Sequence, residues 1–184
     1  MFTLFALSLG GYQDCSIESD YVKFTSDYVK KIVPAFYTEY GDVLLDFTIK
    51  SARYQIVNGY NLELTCSVRN DLFTINLYCN PRQHVVTLTS FNSIPNNSVP
   101  IPGGWVWTTV DDFLETNREK FSNLLLLSSG GTTFKTIFAV KRQVVNGINF
   151  LVTFFDSNDI LHTVKYHQNF DETDVTLIDI HQYQ

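Results

Sequence analysis

The chain has 184 residues, of which 45% are hydrophobic and 17% are charged, and its formal net charge is −6. This acidic balance provides no basic surface for nucleic acid and little attraction to anionic lipid. No apolar stretch approaches the roughly 18 residues that are needed to cross a bilayer. We therefore expect neither a nucleic-acid partner nor a membrane partner.

The first nine residues admit two interpretations. Residues 2–9 form an apolar run with the length of a signal-peptide core, but no basic residues precede it. They are either a signal-peptide remnant, which would leave a mature chain beginning near Gly10 or Gly11, or an N-terminal strand. The triplet Asn96-Asn97-Ser98 is a glycosylation sequon, which agrees with secretion.

A long amphipathic helix is predicted over residues 17–36. Apolar residues recur there at steps of three and four, and Lys23 and Lys30 lie on the opposite face. Ser16 is a candidate N-cap. Pro34 should end or kink the helix, because proline lacks the backbone N–H that an inner turn requires.

A second helix is predicted at the equivalent place in the other half, over residues 110–125. Its candidate cap is Thr108 or Thr109, and Gly130-Gly131 should end it. After each helix the apolar period changes to two, which indicates half-buried antiparallel strands. The main predicted strands are 45–49, 60–68 and 85–91 in the first half, and 134–145, 148–155, 160–166 and 175–180 in the second.

One hairpin of the first half has a predicted register. A two-residue turn at Asn70-Asp71 pairs Val68 with Phe73 and places apolar residues opposite one another along both strands. In this register Cys66 and Cys79 lie about 13 Å apart, which is beyond the reach of a disulfide. The third cysteine, Cys15, can be free or paired, and the odd number excludes a disulfide scaffold.

A five-residue repeat divides the chain into two similar halves. Gln-Ile-Val-Asn-Gly at 55–59 recurs as Gln-Val-Val-Asn-Gly at 143–147, and each copy separates two predicted strands. Gly10-Gly11 precedes the first copy and Gly103-Gly104 precedes the second, each with a predicted helix in between. A repeat in matching context indicates an internal duplication.

A glycine pair, a helix and then Gln-x-Val-x-Gly between two strands resemble the cystatins, and the resemblance covers nearly the whole chain. It implies an α+β fold of two tandem cystatin-like domains, each an antiparallel four-to-five-stranded sheet wrapped around one helix. The domains would be residues 1–91 and 103–184, joined by a linker at 92–102. Many animal cystatins are secreted, so we expect secretion, with the cytoplasm as the alternative.

The resemblance also implies a function, which is reversible, tight-binding inhibition of papain-like cysteine proteases of the cathepsin type. A wedge of three segments would enter the active-site cleft: the residues at the N-terminal glycine, the pentapeptide and a second hairpin loop. In the second half these residues are Gly103, Gly104, Gln143, Val144, Val145, Asn146, Gly147 and Phe170, after a trunk that includes Ile101 and Pro102. In the first half they are Gly10, Gly11, Gln55, Ile56, Val57, Asn58, Gly59 and Pro81.

An enzyme is not expected. The four histidines lack a motif that pairs them with a nucleophile or a metal, and we expect neither a cofactor nor a metal site. We expect His162 to be a core or edge residue that serves the structure. Two other functions stay open: a latexin-like inhibitor of metallocarboxypeptidases, and a non-inhibitory binding module of the same fold. The second is favoured by the absence of the Pro-Trp pair that many cystatins carry in the second loop.

Overall fold

The computed structural model describes residues 10–37, 47–69, 71–94, 103–128 and 130–183. The chain divides into two compact units. Unit 1 holds the described residues of Met1–Val29 and Leu44–Asn96, and unit 2 holds those of Lys30–Val43 and Asn97–Gln184. Residues 30–37 therefore pack within unit 2, although they precede the predicted linker. The domain boundaries at 91 and 103 stay a prediction, and residues 1–9 and 95–102 lie outside the described part of the chain.

Unit 1 contains one five-stranded antiparallel sheet, and helix α1 follows its first strand. Its elements are β1 (Gln13–Cys15), α1 (Asp20–Ile32), β2 (Phe47–Val57), β3 (Gly59–Val68), β4 (Asp71–Asn80) and β5 (Val85–Ile94). The last residues of α1, from Lys30 onward, belong to unit 2. The strands lie in the order β1-β2-β3-β4-β5. Strand β5 runs to Ile94, so the first residues of the predicted linker are strand.

Helix α1 begins later than predicted. Its first turn starts at Asp20, and the carbonyl of Ser19 accepts the N–H groups of Val22 and Lys23. Ser16 is not the N-cap, because its Oγ accepts the N–H of Glu18 in a turn ahead of the helix. As predicted, the helix ends near Pro34: a 3₁₀ segment, Val33–Phe36, follows Ile32.

Unit 2 repeats this plan with a second sheet. Its elements are β6 (Trp105–Thr108), α2 (Val110–Ser128), β7 (Phe134–Val145), β8 (Gly147–Asp156), β9 (Leu161–Gln168) and β10 (Val175–Tyr183), in the sheet order β10-β9-β8-β7-β6. Thr109 caps α2 through its Oγ1, which accepts the N–H of Asp112 at 3.1 Å. The prediction of an α+β chain is confirmed.

The predicted register of the β3–β4 hairpin is wrong by two residues. Val68 pairs with Asp71 and Cys66 pairs with Phe73, so the turn falls one residue earlier. Arg69 has a φ of 53°, the left-handed conformation that a tight hairpin turn uses. A shift of two residues returns every side chain to the same face of the sheet, so alternation of apolar residues cannot distinguish the two registers.

The observed register keeps the cysteines apart. Cys79 pairs with Tyr60, at the far end of β3 from Cys66, and all three cysteines are free. Cys66 and Cys79 are buried, whereas Cys15 is half-buried. Burial raises the pKa of the Cys66 thiol to about 12. It also raises the pKa of Cys79 to about 11, against the opposing effect of a hydrogen bond with Tyr60.

The middle parts of the three central strands of unit 2, which are β7, β8 and β9, are buried on both faces of the sheet. One face packs against α2 through a core that includes Phe121, Val152 and Tyr166. Thr153 and Thr163 point to the opposite face, and their hydroxyls donate to the carbonyl oxygen of Ala35 at 2.8 and 2.6 Å. The 3₁₀ segment therefore covers this second face. Strand β8 carries the sequence signal for double burial, since residues 150–155 are apolar apart from one threonine.

The neighbouring part of this face holds a buried ammonium. Lys141 is 3% exposed, and its Nζ lies 4.1 Å from the ring centroid of Tyr37 and 4.2 Å from that of Trp107. Two aromatic faces attract a cation electrostatically and replace part of its hydration. Position 141 corresponds to Arg53 in unit 1, counted from the glycine of each pentapeptide. Arg53 instead forms an exposed ion pair with Glu63.

We predict that Thr153→Val combined with Thr163→Val lowers the free energy of unfolding of unit 2 by about 1–3 kcal/mol, because the buried carbonyl of Ala35 loses both donors. The matched control is Thr65→Val with Thr74→Val, the equivalent pair in unit 1, whose side chains are half-exposed. Urea unfolding measures both variants. Equal effects on the two units would contradict this role for the threonines.

We predict that Cys15 reacts first with a thiol reagent at pH 8 and that Cys66 and Cys79 react at least about 100-fold more slowly, because the thiolate is the reactive form and their raised pKa values suppress it. The rates for the two buried thiols should rise with pH towards 11. In denaturant all three should react together. Labelling kinetics followed by peptide mass spectrometry measures this, and rapid labelling of Cys66 in the native protein would contradict it.

Candidate functional site

Three segments of unit 2 meet at one end of its sheet. Residues 103–104 lead into β6, which pairs antiparallel with β7 so that Trp105 lies opposite Gln143. The pentapeptide 143–147 forms the β7–β8 hairpin. Strand β9 ends at Gln168 opposite Ile148, and the loop 169–174 follows. We call these three segments tip 2, and they are the three that the sequence predicted.

The same arrangement occurs in unit 1. Residues 10–11 lead into β1, the pentapeptide 55–59 forms the β2–β3 hairpin, and β4 ends beside it at Asn80. The loop 81–84 follows, with Pro81 exposed at its start. We call these segments tip 1. Within each unit, the structure therefore brings together all the predicted site residues that it describes, whereas Ile101 and Pro102 lie outside the described residues.

Both pentapeptide hairpins require their glycine. Val145 pairs with Gly147 across the turn, which leaves Asn146 at the apex, and Gly147 has a φ of 118°. A Cβ at this position would lie 2.5 Å from the carbonyl oxygen of Gln168. Gly59 has a φ of 108°, and a Cβ there would collide with the carbonyl of Cys79. Glycine is thus needed both for the left-handed φ and for the close approach of the next hairpin.

The glutamine of each pentapeptide holds the chain at the N-terminal glycine. In tip 2, Gln143 Nε2 donates to the carbonyl oxygen of Gly103 at 2.7 Å. In tip 1, Gln55 Nε2 donates to the carbonyl oxygen of Gly10 at 3.1 Å. The glutamine side chain therefore tethers the first segment of the tip to the second, a role that the sequence alone did not reveal.

The loop of tip 2 is held by its own hydrogen bonds. The side chain of Asn169 accepts the N–H of Asp174 at 3.0 Å, and Glu172 forms an ion pair with Lys120 of α2. Hydrogen bonds from the side chain and the N–H of Thr173 lower the pKa of Asp171. Phe170 projects from this ordered loop and is 63% exposed.

Exposed aliphatic and aromatic side chains cluster at tip 2. Val144 is 55% exposed and Val145 is 41% exposed in the hairpin, and Phe170 is exposed in the loop 169–174. In tip 1, Ile56 is 46% exposed, while Val57 is half-buried. Among the other predicted residues, Gly11, Asn58, Gly103 and Asn146 are exposed, Gly10, Gln55, Gly59, Gly104 and Gln143 are half-buried, and Gly147 is buried. Neither pentapeptide contains a charge, so each hairpin presents a narrow, uncharged apex, which consists of an asparagine preceded by aliphatic side chains.

Sequence reasoning missed one residue in each tip. Asn61 Nδ2 donates to Gln55 Oε1 at 3.2 Å, and Asn149 Nδ2 donates to Gln143 Oε1 at 3.0 Å. Each asparagine follows its pentapeptide glycine by two residues, so the repeated motif is the heptapeptide Gln-x-Val-Asn-Gly-x-Asn. Extending the comparison of the two copies by two residues would have found it.

A buried acid–histidine pair lies elsewhere in unit 2. His162 Nε2 is 3.0 Å from Asp156 Oδ2, and the imidazole stacks on Phe154. Burial by itself raises the pKa of Asp156, but bonds from the N–H of Ile160, from His162 and from the N–H of Asn158 lower it overall. His162 is 7% exposed and lies in β9, which is paired on both sides, so of the two predicted positions, core or edge, it occupies the core.

The described residues contain no group of three His, Cys, Asp or Glu side chains arranged to hold a metal ion. Among the helices of the described chain, none combines the length and the apolar character that crossing a membrane requires.

Comparisons with known proteins add little to this description. No protein-family model matches the chain, and no curated protein matches it. Among solved structures it is similar to the crystal structure of mouse fetuin-B, with 11% sequence identity and a TM-score of 0.38, over 94% of this chain and 71% of that one. A likeness at this level carries no argument about function, which rests on the residues of the two tips.

We predict that Gly147→Ala lowers the free energy of unfolding of unit 2 by about 2–4 kcal/mol. Alanine is strained at this positive φ, and its methyl group also collides with the carbonyl of Gln168. The control is Gly131→Ala, where φ is 94° but a Cβ would meet no atom within 4 Å. That variant should lose only about 1 kcal/mol. Both tryptophans lie in β6, so their fluorescence during urea unfolding reports on unit 2. If both variants lost the same free energy of unfolding, the close approach of Gln168 would not be the reason for glycine at position 147.

Proposed function

We propose that the protein is a reversible, tight-binding inhibitor of papain-like cysteine proteases of the cathepsin type, and that its two units are tandem cystatin-like modules. The main support for this proposal is the arrangement of the segments in tip 2. Its three segments lie at one end of the sheet. They are the residues at Gly103, the uncharged apex of the hairpin, and the loop that carries Phe170. The exposed side chains of Val144, Val145 and Phe170 give this surface its apolar contact area.

Such a tip can block an enzyme without chemistry. The hairpin is fixed by its strand pairing, and the loop 169–174 is fixed by its own hydrogen bonds, so little conformational entropy is lost on binding. A rigid apex fills an active-site cleft, and it offers no extended peptide bond to the nucleophile. Inhibition is then reversible, and its strength depends on the apolar surface that the cleft removes from water.

We propose that tip 2 is the stronger of the two inhibitory surfaces. It has three exposed apolar side chains at its hairpin and loop, whereas the hairpin of tip 1 exposes Ile56 and its loop exposes Pro81 and Arg82. Large exposed aromatic residues such as Phe170 are typical anchors of protein interfaces. Tip 1 would then bind more weakly or prefer a different protease.

We further propose that the protein acts outside the cell, where proteases of this class are also found. The support is the apolar run at residues 2–9 and the sequon at 96–98, both of which lie outside the described residues. Glycosidase treatment followed by mass spectrometry of protein from the culture medium of expressing eukaryotic cells tests this proposal. A cell-associated chain without carbohydrate would contradict it.

We predict that Val144→Asp weakens inhibition of papain at least about tenfold, because a carboxylate next to the hairpin apex must lose its hydration in an apolar cleft. The control is Leu127→Asp, which places the same charge on another exposed aliphatic residue of unit 2. It should leave the inhibition constant unchanged. Titration of papain gives the constants, and carboxypeptidase A, titrated in parallel, should retain its activity. Inhibition of carboxypeptidase A alone would support the latexin-like alternative.

A further inference from the structure

The last residue of the repeated heptapeptide has no assigned role, yet it makes the same contact in both units. Asn61 lies opposite Gln55 across the β2–β3 hairpin, and Asn149 lies opposite Gln143 across the β7–β8 hairpin. In each pair the asparagine amide donates to the glutamine carbonyl oxygen. The glutamine amide then donates to the carbonyl of the N-terminal glycine.

These hydrogen bonds form a series in which each amide donates to the next residue, from asparagine to glutamine to glycine. A glutamine side chain can present either its oxygen or its NH₂ group to a neighbour by a half-turn of the terminal amide. Only the NH₂ group can bond the carbonyl oxygen of Gly103. Because Asn149 supplies a donor to the oxygen of Gln143, it selects the orientation in which the NH₂ group faces Gly103.

In unit 2 the chain of hydrogen bonds extends one residue further. His167 Nδ1 is 2.9 Å from Asn149 Oδ1. Since Asn149 uses its NH₂ group for Gln143, its oxygen must be the acceptor, so Nδ1 of His167 carries the proton. In unit 1 the residue opposite Asn61 is Tyr78, whose hydroxyl instead donates to the carbonyl of Asn58 at the hairpin apex.

We propose that Asn61 and Asn149 are positioning residues that orient the pentapeptide glutamine and thereby fix the N-terminal glycine segment beside the hairpin. Under the proposed function, on which this consequence rests, they determine whether the first and second segments of each tip reach a protease together. A docked segment binds without a further loss of chain entropy, whereas a free one must be ordered at the moment of binding.

The test is Asn149→Asp, which keeps the shape of the side chain but replaces its donor with an acceptor. Gln143 should turn its NH₂ group towards the new carboxylate and present its oxygen to the carbonyl of Gly103, which repels it. The experiment uses the full chain carrying Trp107→Phe, so that Trp105 is the sole tryptophan and reports on the segment next to Gly103. Acrylamide quenching of Trp105 should rise about two- to fivefold, and the Trp105 amide should exchange faster.

The matched control is Asn61→Asp in the same background, which makes the identical change in unit 1 and should leave quenching of Trp105 unaltered. Asn149→Ser, which retains a hydroxyl donor, should preserve more of the protection than Asn149→Asp. A purely steric role would reverse that order, because serine is smaller than asparagine and aspartate is not. Unchanged quenching in Asn149→Asp would overturn the positioning role.

Inhibition of papain is measured on the same variants, and the two readouts separate the two proposals. We expect Asn149→Asp to raise the inhibition constant about three- to tenfold, as loss of one fixed contact segment implies. If quenching rises while the inhibition constant stays the same, the positioning role holds and the protease-binding role of Gly103 fails. If neither the parent chain nor any variant inhibits papain, the proposed function fails and the quenching data still decide the positioning role.

Discussion

Burial of one face of each five-stranded sheet by a helix is the constraint on which both units depend. An antiparallel sheet of alternating residues presents one apolar face, and that face is stable only when another element covers it. Helix α2 covers one face in unit 2 through Phe113, Phe121 and Leu125. In unit 1 the helix and the sheet are also joined by hydrogen bonds, since the Tyr60 hydroxyl donates to the carbonyl of Tyr21 and the Tyr28 hydroxyl accepts the N–H of Leu88.

The face of the sheet opposite the helix has a different environment in each unit. In unit 1 that face carries polar groups such as the Arg53–Glu63 ion pair, which remain in water. In unit 2 it carries Leu151, Thr153 and Lys141, each at most 3% exposed. The 3₁₀ segment supplies the carbonyl of Ala35, which accepts from the threonine hydroxyls. Tyr37, which directly follows that segment, supplies the ring against which the Lys141 ammonium packs. Two copies of one plan have therefore diverged in what their outer faces contact.

The tips follow from the same geometry. The turn residues Asn58 and Asn146 are exposed, and the backbone of Gly147 lies against that of Gln168, so the second and third segments of tip 2 are in close contact. The glutamine tether then adds the segment at Gly103. Three separate parts of the sequence form one continuous surface, because each is hydrogen-bonded to its neighbour through backbone or amide groups. Under the proposed function, a surface that is already ordered in the fold loses little further conformational entropy when it binds a cleft.

The sequence by itself determined the period of each element and the repeat. Alternation placed the strands that follow each helix, the apolar stripes placed the helices, and the paired pentapeptides located both hairpins and their glycines. The short strands β1 and β6, which precede the helices, were not predicted. It could not determine the register of β3 against β4, because a shift of two residues preserves alternation. It also could not show that Ala35 meets Thr153 and Thr163, or that Gln143 reaches Gly103. These contacts join residues far apart in the chain, and side-chain hydrogen bonds leave no periodic signal, so the tertiary structure alone decided them.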